Sequence, residues 1–203
     1  MSIEVKISKA RIPYKKAMFV LEKRVEDVKK GFKKELIWIL EHPTTYTGGI
    51  RSNNNEILDK KIKIIKTNRG GKITLHNPGQ KIIYFVLDLN KRKKDIRLLI
   101  KTIEESIIEV LKIYKIYGYS DRKNIGIWVK NKKISAIGIK VRRWVAYHGC
   151  SININNDLSY YKKIIPCGLS NYKITSFHDL GIKRIPNLNK NIIKVFTKNL
   201  TKI

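Results

Sequence analysis

Cysteine is nearly absent from this chain, two in 203 residues. That excludes a disulfide framework and fits a reducing compartment. Acidic residues are also few, 16 Asp and Glu against 44 Lys and Arg, for a formal charge of +28. Lysines break every apolar run before it reaches membrane-spanning length, and Met1–Lys6 has no apolar signal segment. The expectation is a cytoplasmic protein without a membrane partner. The four histidines, His42, His76, His148 and His178, lack metal-ligand spacing, and no cysteine pair supplies it, so no metal site is expected.

What remains is a globular composition, 42% hydrophobic and 9% aromatic, at a length that suits one domain, residues 1–203. The basic residues are dispersed from Lys6 to Lys202 among isoleucines and asparagines. Three origins fit: the codon bias of an A/T-rich genome, attraction to an acidic protein, or nucleic-acid binding. No zinc-finger, helix-turn-helix or RNP1 pattern favours the last, so no specific nucleic acid is expected.

Periodicity predicts a strand at 3–8 and an amphipathic helix over 14–34 that ends near Gly31. A buried strand follows at 35–41, then a loop from His42-Pro43 through Gly48-Gly49. Residues 61–67 alternate, 72–75 form a short strand, and 81–89 are an almost continuous apolar strand. Asp95 caps a long helix, and 125–129, 133–141 and 144–154 read as a meander turning at Lys130-Asn131. A short helix at 158–164 and a last one at 189–200 complete an α+β fold with a mainly antiparallel or mixed sheet flanked by helices.

Two places carry candidate chemistry. Arg69-Gly70-Gly71-Lys72-Ile73-Thr74-Leu75-His76-Asn77-Pro78-Gly79-Gln80 packs glycines beside an arginine and a histidine, as a backbone lying close to a bound group requires. Cys167, framed by Pro166 and Gly168, is either a nucleophile at a shaped loop or an inert buried thiol. A lysine ammonium nearby would favour its thiolate. Cys150 reads as core or pocket wall. A protease pair of Cys167 with His178 lacks papain-like or caspase-like flanks.

Five segments in order resemble the lipoyl(octanoyl) transferase family. Leu40–Gly49 is similar to its E-H-P-x-x-Y/F-T-x-G segment, and Arg69–Gln80 to R-G-G-x-I/V-T-x-H-G-P-G-Q, with Asn77 in place of a glycine. Lys133–Gly138 resembles K-I/V-x-A/S-I/L-G, His148–Asn153 resembles H-G-x-x-L/I-N, and Pro166-Cys167-Gly168 resembles the P-C-G centre. The resemblance implies the fold of biotin protein ligases and lipoate ligases. It also implies an ATP-independent acyltransferase of lipoate biosynthesis that needs no cofactor.

In that family a cysteine takes an octanoyl group from acyl carrier protein as a thioester. It then releases the group to a lysine of an apo lipoyl domain, in 2-oxoacid dehydrogenase complexes or the glycine cleavage H protein. Carried onto this chain, Cys167 is the nucleophile and Lys133 the residue that lowers its pKa and moves protons. Arg69, Gly70, Gly71, Lys72, Ile73, Thr74, Leu75, His76, Ala136, Ile137, Gly138, Gly149, Cys150 and Ser151 line the acyl site, with Ile73 and Leu75 giving apolar contact. Amides near Gly138 and Gly168 are candidates for holding the oxyanion. Two alternatives are an ATP-dependent lipoate or biotin-type ligase and a basic nucleic-acid-binding protein.

Overall fold

A central sheet eight strands wide separates two helical layers. The computed structural model describes residues 3–166 and 173–203. Its elements are β1 (Ile3–Ile7), α1 (Tyr14–Lys29), β2 (Glu35–Leu40), β3 (Thr45–Gly48), β4 (Ile64–Lys66), β5 (Ile73–His76), β6 (Gln80–Asp88) and α2 (Ile96–Ile113). They continue with β7 (Tyr119–Ser120), β8 (Ile127–Val129), β9 (Lys132–Arg142), β10 (Val145–Asn153), β11 (Lys173–Ile174) and α3 (Leu188–Leu200).

The large sheet runs β1-β2-β6-β10-β9-β8-β7, with β11 on β9. The β1–β2 and β9–β11 pairs are parallel and the other pairs of this sheet antiparallel. The expected meander is present as β8-β9-β10. Its first turn places both Lys130 and Asn131 at positive φ, 46° and 61°, as a tight hairpin of matching twist requires.

Alternation along the strands divides the core. Leu36, Trp38, Leu40, Ile82, Tyr84, Val86, Val145 and Tyr147 pack on Ala17, Leu21, Val25 and Val28 of α1. Their neighbours, Ile37, Ile39, Ile83, Phe85 and Leu87, face α2 and α3 with Ile103, Ile107 and Phe196. Asp95 does cap α2, accepting from the Leu98 amide at 3.0 Å. The helix at 14–34 stops at Lys29, before the left-handed Gly31 (φ 76°). Residues 158–163 make a 3₁₀ turn, capped by Asp157, rather than an α-helix.

One expected loop is a strand. Within 42–49, β3 pairs with β4 and β5 in a second, three-stranded sheet that lies off the first. The Thr-Tyr-Thr run suits extended backbone, and Tyr46 packs with Ile73, Leu75, Tyr161 and Ile164 in a small core of its own.

Candidate functional site

The site forms where the Arg69–Lys72 loop crosses β9. The Gly70 amide donates to the Ile139 carbonyl at 3.1 Å. A Cβ on Gly138 would stand 3.2 Å from Arg69 Cδ and 3.3 Å from the Gly70 carbonyl oxygen, so this crossing needs glycine. Gly71 turns there with φ 88°. Arg69 is buried, donating through Nη2 to the Thr47 carbonyl and hydroxyl, both at 2.8 Å. It ties the loop to β3.

Beneath the crossing lies a narrow cavity of about 60 Å³. Arg69, Gly71, Lys72, Thr74, His76, Ala136, Ile137, Gly138, Gly149, Cys150 and Ser151 line it, joined by Tyr14, Ile82, Tyr84 and His148. Gly70, Ile73 and Leu75 do not; Gly70 borders the neighbouring cleft instead. Alternation along β5 turns Thr74 and His76 to the cavity and sends Ile73 and Leu75 into the small core. Cys150 pairs with Ile83 and Ile137 and belongs to the core on the α2 side, so only its stretch of strand borders the cavity. Burial pushes its thiol well above the usual range, which makes it a poor nucleophile.

A set of neutral histidines backs the cavity. His42 Nδ1 donates to the Ile12 carbonyl and its Nε2 accepts from the Tyr84 hydroxyl at 2.8 Å. Gln80 uses its amide nitrogen on Leu75, Asn153 and Tyr161, so its oxygen accepts from His76 Nδ1 at 2.8 Å. His148 donates through Nε2 to Asn68 Oδ1, also at 2.8 Å. Burial lowers the three rings to about 4, 3 and 3, with Arg69 adding to the effect on His148. His148 has φ 68°, which turns its ring onto the same side as its neighbour Tyr147, stacked at 4.8 Å. Tyr14, Ile82, Tyr84 and His148 are the wall residues that sequence reasoning missed.

Asn77 keeps its turn by a different device from the one its sequence suggests. Its φ is not left-handed; Gly79 takes that role at 87°. The Asn77 amide instead donates to the Asp157 carbonyl at 2.8 Å and its oxygen accepts from Asn156 at 3.0 Å.

Lys133 enters from the other end. It is 4% exposed, its ammonium donates to the Ile125 carbonyl at 3.0 Å, and it lies 4.8 Å from the Trp128 ring centroid. It borders an open cleft of about 930 Å³ that also reaches Gly71, Lys72, Ile137 and Gly138 of the narrow cavity. A small void connects Lys133 to Thr74, Ala136 and Ser151, and Pro166 lines it as well. Beyond residue 172 the chain returns beside Lys133: Ile174 pairs with it in β11, and the Thr175 amide donates to its carbonyl at 3.0 Å. Cys167 and Gly168 lie outside the described residues. His178 is exposed.

This architecture recurs in solved structures. Lipoate-protein ligase A bound with ATP superposes with a TM-score of 0.75 at 17% identity, over 98% of this chain and 86% of the other. A putative lipoate protein ligase from T. acidophilum with bound lipoic acid gives 0.76 at 16%, over 99% and 87%. The biotin protein ligase of Aquifex aeolicus gives 0.56 at 14%, over 98% and 70%. The fold is therefore that of the lipoate and biotin ligases, as expected from the sequence.

Residues 13–197 match the lipoyl protein ligase A/B catalytic domain, and the chain belongs to that family. It is 43% identical to the octanoyltransferase of Wolbachia sp. subsp. Brugia malayi (strain TRS), over 96% of this chain and 100% of the relative. It is 45% identical to the octanoyltransferase of Ehrlichia chaffeensis, over 89% and 87%. Among the described residues no helix is long and apolar enough to cross a membrane.

Proposed function

We propose that this chain is an octanoyltransferase of protein lipoylation, working through a Cys167 thioester with residues 1–203 as one catalytic domain. The observation that carries the reading is the position of Lys133. A buried ammonium lines both the large cleft and the small void that reaches Thr74, Ala136 and Ser151 of the narrow cavity, and Pro166, the covalent neighbour of Cys167, lines the same small void.

An ammonium beside a thiol favours the thiolate, which is the attacking form. The Cys167 sulfur forms a bond to the thioester carbonyl carbon of octanoyl-acyl carrier protein, and the carbonyl electrons move onto oxygen. Collapse of that oxyanion expels the carrier's sulfur, which takes a proton relayed by Lys133. The target lysine of a lipoyl domain, as the free amine, then attacks the Cys167 thioester. Its nitrogen gains the acyl group and passes its proton to the amine form of Lys133, restoring the ammonium, and the Cys167 thiolate leaves. An activated donor divides the transfer into two exchanges and needs no nucleotide. The tail lies on Ala136, Gly138 and Ser151, under Thr74 and His76, toward Ile82 and Tyr84.

The test is intact-mass spectrometry of the protein mixed with octanoyl carrier protein without ATP. Wild type should gain one octanoyl mass that hydroxylamine removes, Cys167→Ala should gain none, and Cys150→Ala should still acylate. Lys133→Met should acylate about a hundredfold more slowly or worse. Labelling of Cys167→Ala at wild-type yield would refute the assignment.

A further inference from the structure

The open cleft is a conduit with a consistent charge. Its floor follows β9 from Lys133 to Val141, about 26 Å at about 3.3 Å per residue. Arg51 and Lys72 stand on the wall made by the glycine loop, because the Ile50 and Arg51 amides donate to the Arg69 and Gly71 carbonyls. Arg122 and Lys123 line it from a separate segment, the loop whose Ile125 carbonyl holds Lys133, and Lys140 lies on the floor. Among the described residues no carboxylate lines the cleft. Asp121, at the start of the Arg122 loop, is outside the lining, with its carboxylate turned to the Lys123 amide and the Asn124 side chain.

Lys72 is paired with Glu56 at 3.1 Å. Among the described residues Arg51, Arg122, Lys123 and Lys140 form no ion pair, so their charge is directed to the cleft rather than to a carboxylate of this chain.

Resting on the thioester-donor reading above, we infer that this cleft recognises the phosphate of the donor's phosphopantetheine arm, gripped between Arg51 beside the glycine loop and Arg122 and Lys123 of the separate segment. With the acyl end in the small cavity, the leaving sulfur and everything attached to it extend along the large cleft that Lys133 borders. A guanidinium fork suits a phosphate's paired oxygens, and two such forks on separate segments fix the arm's register relative to Lys133.

The experiment compares octanoyl-pantetheine, octanoyl-phosphopantetheine, octanoyl-coenzyme A and octanoyl carrier protein as donors at equal concentration, scored as octanoyl mass gained per minute. Wild type should prefer phosphopantetheine over pantetheine about tenfold or more. In Arg51→Ala and in Arg122→Ala/Lys123→Ala that ratio should fall toward one, whereas in Lys190→Ala/Lys194→Ala on α3, which removes equal charge, it should persist. Faster transfer from the carrier protein than from the coenzyme assigns the arm to a protein; the reverse order assigns it to the free coenzyme. Equal rates from pantetheine and phosphopantetheine in wild type, or an undiminished ratio in the cleft variants, would overturn the inference. Should no donor acylate the protein, the catalytic reading fails. Calorimetric titration with free phosphopantetheine against pantetheine then decides the cleft: phosphate-dependent binding lost in Arg122→Ala/Lys123→Ala sustains it, and equal binding overturns it.

Discussion

Gly126 leaves the space through which Lys133 passes. A Cβ at position 126 would stand 3.1 Å from Lys133 Cε, 3.3 Å from its Nζ and 2.6 Å from the Ser135 carbonyl oxygen. The residue also holds φ at 136°, a conformation that side-chain-bearing residues rarely adopt.

Gly126→Ala should therefore cost about 1–3 kcal/mol of stability and displace the ammonium. Urea melts measure the first effect. The second appears as slower acylation of Cys167 at a temperature where the variant remains folded. Wild-type acylation in a folded variant would mean that the placement of Lys133 tolerates the shift.

The buried histidines make stability depend on pH. Unfolded, these rings titrate near about 6.5; folded, His42, His76 and His148 titrate only at about 4, 3 and 3. Between those values the unfolded chain binds more protons than the folded one. Their contribution is thus fully present above about pH 6.5 and is lost as pH falls toward the folded values, by up to about 1.4 kcal/mol per ring per pH unit. Denaturation at pH 7.5 and 5.5 should differ by on the order of 3 kcal/mol. His76→Gln should reduce that difference by about a third, and identical melts would contradict the burial of neutral rings.

Glu35 and Arg92 form a buried pair, 5% and 0% exposed at the side chain. Glu35 Oε2 accepts from Arg92 Nη2 at 2.6 Å, while Oε1 accepts from the Asp88 amide at 2.7 Å. Arg92→Met should cost about 3–5 kcal/mol by stranding a carboxylate, and adding Glu35→Gln should recover part of it. A double-mutant cycle in urea measures the coupling; additive losses would show that the two act independently.

Ile82 lines the cavity beside Tyr84 and packs in the α1-side core. Ile82→Ala should shift donor preference from octanoyl toward longer chains, at about 0.8 kcal/mol for each methylene accommodated. It should also cost about 2–5 kcal/mol of stability. Competition between octanoyl and decanoyl carrier protein reads the shift, and an unchanged ratio would place the acyl end elsewhere.

Strand and helix positions were legible wherever one periodicity dominated, as in α2 and the β8-β9-β10 meander. β3 was hidden because four extended residues between Pro43 and Gly49 carry turn signals at both ends. The cavity wall was harder to read. β6 is apolar on both faces, so nothing in its sequence says that Ile82 and Tyr84, rather than Ile83 and Phe85, meet the cavity. Ile73 and Leu75 were assigned to the wrong side because the alternation of β5 shows two faces without saying which one meets the cavity. Lys133 stood out only through the motif around it, since a lysine at the start of a hairpin strand ordinarily faces water. Tyr14 could be found only by knowing that the start of α1 brings its ring against His76 of β5.

The slot beneath Gly70 is smaller than its proposed cargo. It measures about 60 Å³, whereas a benzene ring occupies an interior hole of about 150 Å³. An eight-carbon chain enters only if the lining parts, and the crossing loop of Arg69-Gly70-Gly71 meets β9 at the Gly70–Ile139 amide contact. Cargo length is then gauged by the work of prying that clasp, so faster amide exchange at Gly70 should accompany each acylated molecule.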